Sequence, residues 1–231
     1  MEDGLRIYIG YDKNESVAYH VLSHSILRRS SIPVSITPLN KDCLRGFFSR
    51  PRGAYDSTDF SITRFLVPFL SGFRGFSVFM DSDMLVLGDV AELGSYMTLM
   101  DKYATAVRVV KHDYQPKEEH KFLGAIQTKY EKKNWSSVMV FNNSLCTKLT
   151  PDYVENAPGL ALHQFDWLKD NQIGGMPKRW NWLVGEPGYE KAPEDVRLLH
   201  YTKGTPCFDD YRTCDYSELW HAEMADMTSH G

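Results

Sequence analysis

The chain has 231 residues, a formal net charge of −4, 42% apolar residues and 13% aromatic residues. A chain of this length and composition can bury a substantial core as one or two domains, without a disulfide or metal to hold it together. The mildly acidic balance argues against a nucleic-acid partner, which usually selects a basic excess, and the aromatic content excludes intrinsic disorder.

Neither the cysteines nor the hydropathy pattern indicates a secreted or membrane-spanning chain. The four cysteines form no CxxC pair and are expected to be reduced thiols, although the spacing of Cys207 and Cys214 permits a local bridge. The sequence has no signal-peptide pattern and no run of about 18 apolar residues. We therefore expect a cytoplasmic protein without a transmembrane segment, although a piece of a larger or anchored protein would have the same features.

The apolar pattern predicts that the chain opens as strand, helix, strand. Residues 5–9 form an apolar run bounded by glycine and aspartate, and a helical spacing follows over about 15–29. A short apolar segment, 34–38, comes after a proline. This order favours a parallel α/β sheet.

The remaining chain fits one α/β domain over residues 1–231. Residues 40–60 form a polar loop, a helix is predicted from about 59 to 70, and residues 111–134 are charged and irregular. The two irregular segments are therefore candidate lids. The other predicted elements are strands at Phe76–Met80, 84–87, 104–110, 138–141 and 196–201 and a helix at 160–170.

Two aspartates, Asp81 and Asp83, directly follow the apolar strand Phe76–Met80. Burying a carboxylate at a strand end is costly unless it is paired or bound to a cation, and two carboxylates in one place favour a divalent metal. Such a metal could bridge to a diphosphate and neutralise a leaving group. The alternative is a surface turn with two solvated aspartates.

A histidine, His200, ends another apolar run and is followed by Lys203 and Gly204. A lone histidine at a strand end is more often structural than ligating. The lysine and the glycine backbone change this interpretation because together they can hold a phosphate. Two carboxylates with one imidazole suit manganese better than calcium.

Further polar residues could face the same site or simply be solvated. Arg64 stands in an apolar helical segment, which is consistent with a side chain that projects toward the aspartates. The segment His163-Gln164-Phe165-Asp166 has the pattern of a polar helix start. The sequence contains no GxGxxG after its first strand, no P-loop, no GxSxG and no HExxH. Polar residues that flank the strand at 138–141 are Asn134, Ser136, Ser137 and Asn142.

The order of these motifs resembles that of family 8 glycosyltransferases, the glycogenin-like and lipopolysaccharide galactosyltransferase-like enzymes. The resemblance covers about residues 5–210, and the order of six weak motifs is far more specific than any one of them. The segments that carry it are the opening strand and helix, residues 61–68 with 78–89 (similar to "YLDADTLVLGDL"), 135–142 ("NAGVMLIN"), 163–165 ("DQD"), 176–182 ("LPxxWN") and 200–204 ("HFxG").

The resemblance implies a GT-A fold, which is a Rossmann-like single α/β domain with a mixed, mainly parallel sheet. It also implies transfer of a sugar from a nucleotide-sugar, usually UDP-linked, with retention at the anomeric carbon. The acceptor would be a hydroxyl group of a glycan, a lipid-linked molecule or a protein, and Mn²⁺ or Mg²⁺ would be the cofactor.

Carried over by position, the family's site residues fall on twelve positions plus one replacement. Asp81, Asp83 and His200 would bind the metal, Gln164 would lie beneath the reacting sugar, and Asp166 would replace a carboxylate lost one position earlier. The residues expected to hold the nucleotide or diphosphate are Ile9, Gly10, Tyr11, Asp12, Arg64, Ser82, Lys203 and Gly204.

The chain departs from the family pattern where the family contacts the donor sugar. Trp135 stands in place of an asparagine, and His163 and Phe165 stand in place of two aspartates. These positions therefore bear on which sugar is transferred. Without an obvious carboxylate base, front-side attack assisted by the leaving phosphate is the expected retaining route, with Asp166 as base or nucleophile as the alternative.

Two other functions remain open from the sequence. A haloacid-type phosphatase also places DxD after an apolar strand, normally the first strand, and Asp209-Asp210 could mimic its late acidic pair; Leu85, however, stands where a threonine is common. A sugar-nucleotide or glycan-binding module without turnover is the second. Its candidate stacking residues are Trp135, Trp180 and Trp182, of which at least two are expected to be core aromatics.

Overall fold

The structure is a computed structural model that describes residues 4–53, 56–113 and 132–229. Its helices are α1 Ser16–Arg29, α2 Val67–Leu70, α3 Leu93–Tyr103, α4 Pro151–Asn156, α5 Gly159–His163 and α6 Ser217–Thr228. Its strands are β1 Leu5–Tyr11, β2 Val34–Asn40, β3 Phe76–Met80, β4 Met84–Val86, β5 Val107–Val110, β6 Val138–Asn142, β7 Ile173–Met176, β8 Trp182–Leu183 and β9 Leu198–His200.

The central sheet has six strands in the order β2-β1-β3-β6-β5-β7. The pairs β1–β2, β1–β3 and β5–β7 are parallel, whereas β6 runs antiparallel to both β3 and β5. This arrangement confirms the predicted α/β fold with a mixed, mainly parallel sheet. A second sheet of three strands, β4-β9-β8, packs beside it.

The central strands are apolar on both sides because both faces of the sheet are covered. Ile7 and Val78 contribute to the core on the side of α1, and Tyr8 and Phe79 to the core on the opposite side. Adjacent side chains of a strand point to opposite faces, so a strand buried on both faces needs a continuous apolar run. This explains why β1 and β3 were the clearest strands in the sequence.

Strand register brings the ends of three strands together. β1 and β3 are parallel, with Ile9 opposite Met80, so the residues that follow both strands leave the sheet at the same edge. β9 runs antiparallel to β4 with His200 opposite Met84, and the Tyr201 amide donates to the Asp83 carbonyl at 2.8 Å. The chain after β3 and the end of β9 are therefore neighbours.

The predicted helix over residues 59–70 is wrong over most of its length. Residues Thr63–Leu66 form a 3-10 turn, and the α-helical part is only α2. Pro68 has no backbone N–H and could not donate to the Arg64 carbonyl in a continuous α-helix, so the helix starts one residue before it. Arg64 consequently lies on the turn and not on a helix.

Other boundaries differ for equally local reasons. The helix predicted over 160–170 ends with α5, because Phe165 takes a φ of +60° and places its side chain in the core. The strand predicted from residue 104 begins only at Val107, since α3 extends to Tyr103. The sequence prediction missed α3, although Leu93, Met97 and Met100 follow the i, i+4, i+7 spacing of a buried helix face.

Three further expectations concern loops, thiols and membranes. Residues 41–53 and 56–60 form a loop with one described 3-10 turn, as predicted for the segment 40–60. Residues 114–131 of the other candidate lid lie outside the described residues. All four cysteines are free thiols, so Cys207 and Cys214 are not bridged. Among the described helices, none combines the length and the apolar character needed to cross a membrane.

Candidate active site

The structure brings the three predicted metal ligands together at the edge where β3 and β9 end. One ligating atom from each of Asp81, Asp83 and His200 lies within 4.8 Å of the other two. Asp83 Oδ1 is 3.2 Å from His200 Nε2. The two aspartates come from the connection between β3 and β4, and the histidine is the last residue of β9. We call this group the Asp-Asp-His triad.

The ring of His200 is held in one orientation by Asn181. His200 Nδ1 lies 2.9 Å from Asn181 Oδ1. Because an amide oxygen can only accept, Nδ1 carries a hydrogen, and Nε2 is the ring nitrogen that faces Asp83. The amide is oriented in turn, because Asn181 Nδ2 donates to Ser137 Oγ at 2.8 Å and that hydroxyl donates to the Asn134 carbonyl at 2.7 Å.

Arg64 faces the triad from the 3-10 turn. Its Nη1 atom lies 2.8 Å from Asp81 Oδ1 and donates to the Ser136 carbonyl at 3.0 Å. Its Cζ atom lies 5.0 Å from the centroid of the Phe79 ring and 5.5 Å from that of Phe60. The guanidinium is thus buried between two aromatic rings and paired with a triad carboxylate, an arrangement that fixes its direction.

Ser82, between the two aspartates, donates to Glu15 Oε1 at 3.0 Å. Glu15 is only 3% exposed, and its Oε2 atom has no hydrogen-bond partner in the described part of the chain. Burial raises the pKa of Glu15 well above its usual range, and the neighbouring charge of Asp83 raises it further. Sequence reasoning missed this residue because nothing local distinguishes Glu15 from a solvated glutamate at a helix start.

The predicted nucleotide-binding residues Ile9, Gly10 and Tyr11 form the end of β1, and Asp12 begins the turn after it. The buried Asp12 carboxylate accepts hydrogen bonds from the backbone and side chain of Asn14, both at 2.9 Å, and from the Asp59 amide at 3.1 Å. A Cβ atom on Gly10 would lie 2.3 Å from the Phe60 ring. In this structure these residues therefore join the end of β1 to the segment that carries Arg64.

Lys203 and Gly204 lie just after β9, as their sequence positions require. The half-buried Lys203 side chain passes Gly185, where a Cβ atom would be 3.7 Å from the lysine Cδ atom. Gly204 packs under the ring of Tyr211, and a Cβ atom there would lie 2.3 Å from that ring. Both residues are separated from His200 by only one turn of chain, so they adjoin the triad.

Gln164 and Asp166 are placed differently from each other. Gln164 is half-buried at the end of α5, and its carbonyl accepts from Lys132 Nζ at 3.0 Å. Asp166 is exposed, and it does not belong to the group of metal-ligating atoms found among the described residues. His163 Nδ1 lies 2.8 Å from Ser136 Oγ, and burial lowers the pKa of His163, so this ring is neutral.

The three candidate tryptophans separate into two classes. Trp180 and Trp182 are buried in the core, which confirms that two of the three are core aromatics. Trp135 is half-buried, and its Nε1 donates to the His112 carbonyl at 3.0 Å. His112 is itself a residue that sequence reasoning missed. Burial, assisted by the nearby charges of His200 and Lys178, lowers the pKa of His112 to about 3.

Comparisons with known proteins agree on the fold. No family model matches the chain. It is similar to the WbbM bifunctional glycosyltransferase, with a TM-score of 0.62 and 14% identity. That match covers 96% of this chain but only 50% of the WbbM chain. It is also similar to an active-site mutant of LgtC, with a TM-score of 0.61 and 13% identity over 98% of both chains. The glycosyltransferase GlyE of Streptococcus pneumoniae TIGR4 matches with a TM-score of 0.58 and 14% identity over 95% of this chain and 60% of GlyE.

At these identities the likeness establishes the fold, which is the GT-A fold that the sequence resemblance implied. A much closer relative is Protein CDI of Arabidopsis thaliana, which is 45% identical over 225 residues that cover 95% of this chain and 85% of the relative. An identity of this size over nearly the whole chain shows common family membership. The chain therefore belongs to the family of Protein CDI, and its architecture is that of the GT-A glycosyltransferases.

Proposed function

We propose that the protein is a metal-dependent glycosyltransferase that moves a sugar from a UDP-linked donor to a hydroxyl acceptor with retention at the anomeric carbon. The observation that carries this proposal is the Asp-Asp-His triad at the end of β3 and β9, on a GT-A fold. The similar solved proteins WbbM and GlyE are named as glycosyltransferases, which supports the reaction class.

The residues of the triad fit a divalent metal ion. Two carboxylates and one imidazole form a mixed oxygen and nitrogen set that suits Mn²⁺, while Mg²⁺ prefers oxygen ligands and water. Asn181 accepts from His200 Nδ1 and thereby leaves Nε2 as the nitrogen that would ligate the ion, the arrangement usual for metal-ligating histidines. When bound between Asp81, Asp83 and His200, the ion would supply charge neutralisation for a departing diphosphate.

The chain's own residues would bind and orient the donor around this point. The Lys203 ammonium would hold diphosphate oxygens beside Gly204, because both residues lie one turn of chain after His200. The Gly204 amide itself donates to the Tyr201 carbonyl at 3.0 Å, which fixes this turn. The end of β1, from Ile9 to Asp12, would hold the base and ribose at the same sheet edge. Arg64, which pairs with Asp81, and Ser82, which lies between the two aspartates, would contact the nucleotide or the sugar.

In the proposed reaction the bond between the anomeric carbon and the diphosphate oxygen breaks, and its electron pair stays with the diphosphate. The acceptor hydroxyl oxygen forms the new bond on the same face, and its proton passes to the departing phosphate oxygen. Gln164 would offer a neutral polar contact to the oxocarbenium-like sugar. We favour this front-side route over Asp166 as base or nucleophile, because the Asp166 side chain is exposed.

A binding module without turnover is the second candidate. It is favoured by Trp135, His163 and Phe165, which replace polar and acidic residues of the family pattern, and by the burial of Phe165 in the core. The haloacid-type phosphatase is not supported, because the aspartate pair follows β3 and not the first strand, and because the fold is that of glycosyltransferases.

Thermal unfolding against UDP, GDP and CDP, each with and without Mn²⁺, tests nucleotide and metal together. We expect UDP with Mn²⁺ to raise the Tm most, since a ligand at 100 times its Kd stabilises by about 2.7 kcal/mol. Asp83→Asn should lose this shift. Asp152→Asn, which changes an exposed aspartate of α4, is the matched control and should keep it.

Turnover separates the enzyme from the binding module. We expect hydrolysis of a UDP-sugar that depends on Mn²⁺ and is lost in Asp83→Asn. Metal-dependent hydrolysis that continues unchanged in this variant would contradict the assignment. Nucleotide binding without product across a panel of donors would favour the binding module.

A further inference from the structure

Two lysine–aromatic pairs flank the buried residue His112. On one side, Trp135 Nε1 donates to the His112 carbonyl at 3.0 Å, and Lys111 Nζ lies 5.5 Å from the centroid of the Trp135 ring. On the other side, His112 Nδ1 lies 2.6 Å from the Tyr189 hydroxyl, and Lys178 Nζ lies 4.9 Å from the Tyr189 centroid. His112 thus contacts both aromatic residues, Trp135 and Tyr189, each of which has a lysine over its ring.

A third ammonium group converges on the same indole ring. Lys132 Nζ lies 6.0 Å from the Trp135 centroid. It is held there by the Gln164 carbonyl at 3.0 Å and by Asp170 Oδ1 at 3.1 Å. Two of its three N–H groups are therefore used, and Lys132 connects Trp135 to Gln164, the residue expected beneath the reacting sugar.

Carboxylates neutralise part of the positive charge of this cluster: Asp170 pairs with Lys132, and the charges of Asp113 and Glu186 act on Tyr189 beside Lys178. Lys111 and Lys178 are both exposed, and neither forms an ion pair with any residue of the described ranges 4–53, 56–113 and 132–229. Cations that converge on one ring repel one another, and a bound anion relieves that repulsion. The half-buried Trp135 indole provides an apolar surface beside Lys111 and Lys132.

The cluster adjoins the Asp-Asp-His triad. Trp135 is followed directly by Ser136, which accepts from Arg64, and by Ser137, which accepts from Asn181, the partner of His200. A ligand on the exposed part of Trp135 would therefore lie beside the proposed reaction centre and not on a remote surface.

We propose that Trp135, Lys111 and Lys132 form a subsite for a sugar that bears a negative charge, either a hexuronate or a sugar phosphate. The indole would stack on the C–H face of the ring, and the ammonium groups would hold the carboxylate or phosphate. This inference deepens the proposed function. The binding of a charged sugar does not depend on that function, but the identity of its carrier, the donor or the acceptor, does.

NMR titration of the metal-free chain, in EDTA and at low salt, tests the subsite without the nucleotide. We expect glucuronate and glucose 6-phosphate to bind about fivefold or more tightly than glucose, with an advantage that shrinks as salt screens the charges. Lys111→Gln should weaken glucuronate binding about fivefold. The matched control is Lys102→Gln, because Lys102 Nζ lies over Tyr103 at 5.2 Å in an equivalent pair on α3. Equal affinity for glucuronate and glucose, or equal losses in both variants, overturns the proposal.

A second experiment identifies the carrier of the charged sugar. If the donor carries it, Lys111→Gln weakens binding of UDP-glucuronate with Mn²⁺ and leaves UDP-glucose unaffected. If the acceptor carries it, both donors bind the Lys111→Gln variant as tightly as the wild type. In that case the variant binds glucuronate more weakly when UDP-glucose is already bound. No effect on any of these ligands overturns the subsite. Asp83→Asn keeps the two proposals apart, since it should abolish UDP binding and leave glucuronate binding intact.

Discussion

The Nδ1 atom of His200 lies 2.9 Å from Oδ1 of Asn181, and this contact decides which ring nitrogen is available to a metal. The donor of this hydrogen bond is the histidine, so Nε2 is the nitrogen that faces Asp83 and is left to ligate an ion. A carboxylate or an amide oxygen at this second position is the usual partner of a metal-ligating histidine. The site therefore has an oriented ligand before any ion arrives.

Replacing Asn181 tests this relationship. We expect Asn181→Leu to lower Mn²⁺ affinity about 10–100-fold, because it removes the acceptor that orients the ring and selects its tautomer. Asn181→Asp keeps an accepting oxygen and should retain most of the affinity. The measurement is Mn²⁺ titration by calorimetry, with thermal unfolding to verify that both variants fold. Equal affinity in the wild type and in Asn181→Leu would show that the ring needs no partner.

Glu15 should make the metal-free protein lose stability as pH rises. Burial and then the charge of Asp83 raise the pKa of Glu15 in the folded state, so the folded chain binds this proton more tightly than the unfolded chain does. The stabilisation is complete below the ordinary glutamate pKa and is lost as pH rises through the raised pKa.

The variant Glu15→Gln removes this titration and keeps an oxygen for the Ser82 hydroxyl. In EDTA we therefore expect it to be more stable than the wild type near pH 8, by a margin that disappears near pH 4. Urea unfolding across this range provides the measurement. A margin that does not change with pH would contradict the raised pKa.

The contact between Gly10 and Phe60 should be sensitive to a single added carbon. A Cβ atom at Gly10 would lie 2.3 Å from the ring, so Gly10→Ala should displace the ring and cost about 1–3 kcal/mol of stability. Gly46→Ala is the control, because a Cβ atom there meets no heavy atom within 4 Å. Chemical denaturation measures both variants. Adding Phe60→Leu to Gly10→Ala should restore part of the loss; an additive further loss would rule out the steric explanation.

Glu223 joins the last helix to the first. Its carboxylate lies 2.7 Å from Arg29 Nη2 and 2.6 Å from His24 Nδ1. Burial raises the pKa of Glu223, but the hydrogen bonds from Arg29 and His24 outweigh it, and the pKa is lowered overall. The interaction is therefore fully present above the ordinary glutamate pKa and is lost as pH falls through the lowered pKa.

We expect Glu223→Gln to lower the free energy of unfolding by about 2 kcal/mol at pH 7, which is the size of a lost hydrogen bond to a charged group. The loss should be smaller at pH 3. Glu218→Gln changes an exposed glutamate of the same helix and should cost much less. Urea unfolding at the two pH values supplies the comparison. A loss as large at pH 3 as at pH 7 would mean that packing, and not charge, explains the effect.

The sequence predicted best those elements whose signal is local. β1 and β3 are continuous apolar runs, and α1 has a regular apolar face, so each was predicted close to its true bounds. The segment before β3 was predicted poorly because its apolar residues look helical although Pro68 prevents a long helix. The sequence prediction missed α3 although its buried apolar residues have regular helical spacing.

By itself, the sequence determined the α/β pattern, the acidic pair after β3, and the histidine with its lysine and glycine after β9, since each is written in neighbouring residues. Only the tertiary structure decided that Asn181 orients His200, that Glu15 is buried under Ser82, and that three lysines meet at Trp135 and Tyr189. Contacts of this kind join residues far apart in the chain. They depend on strand register and on the packing of loops against the sheet, which no local pattern encodes.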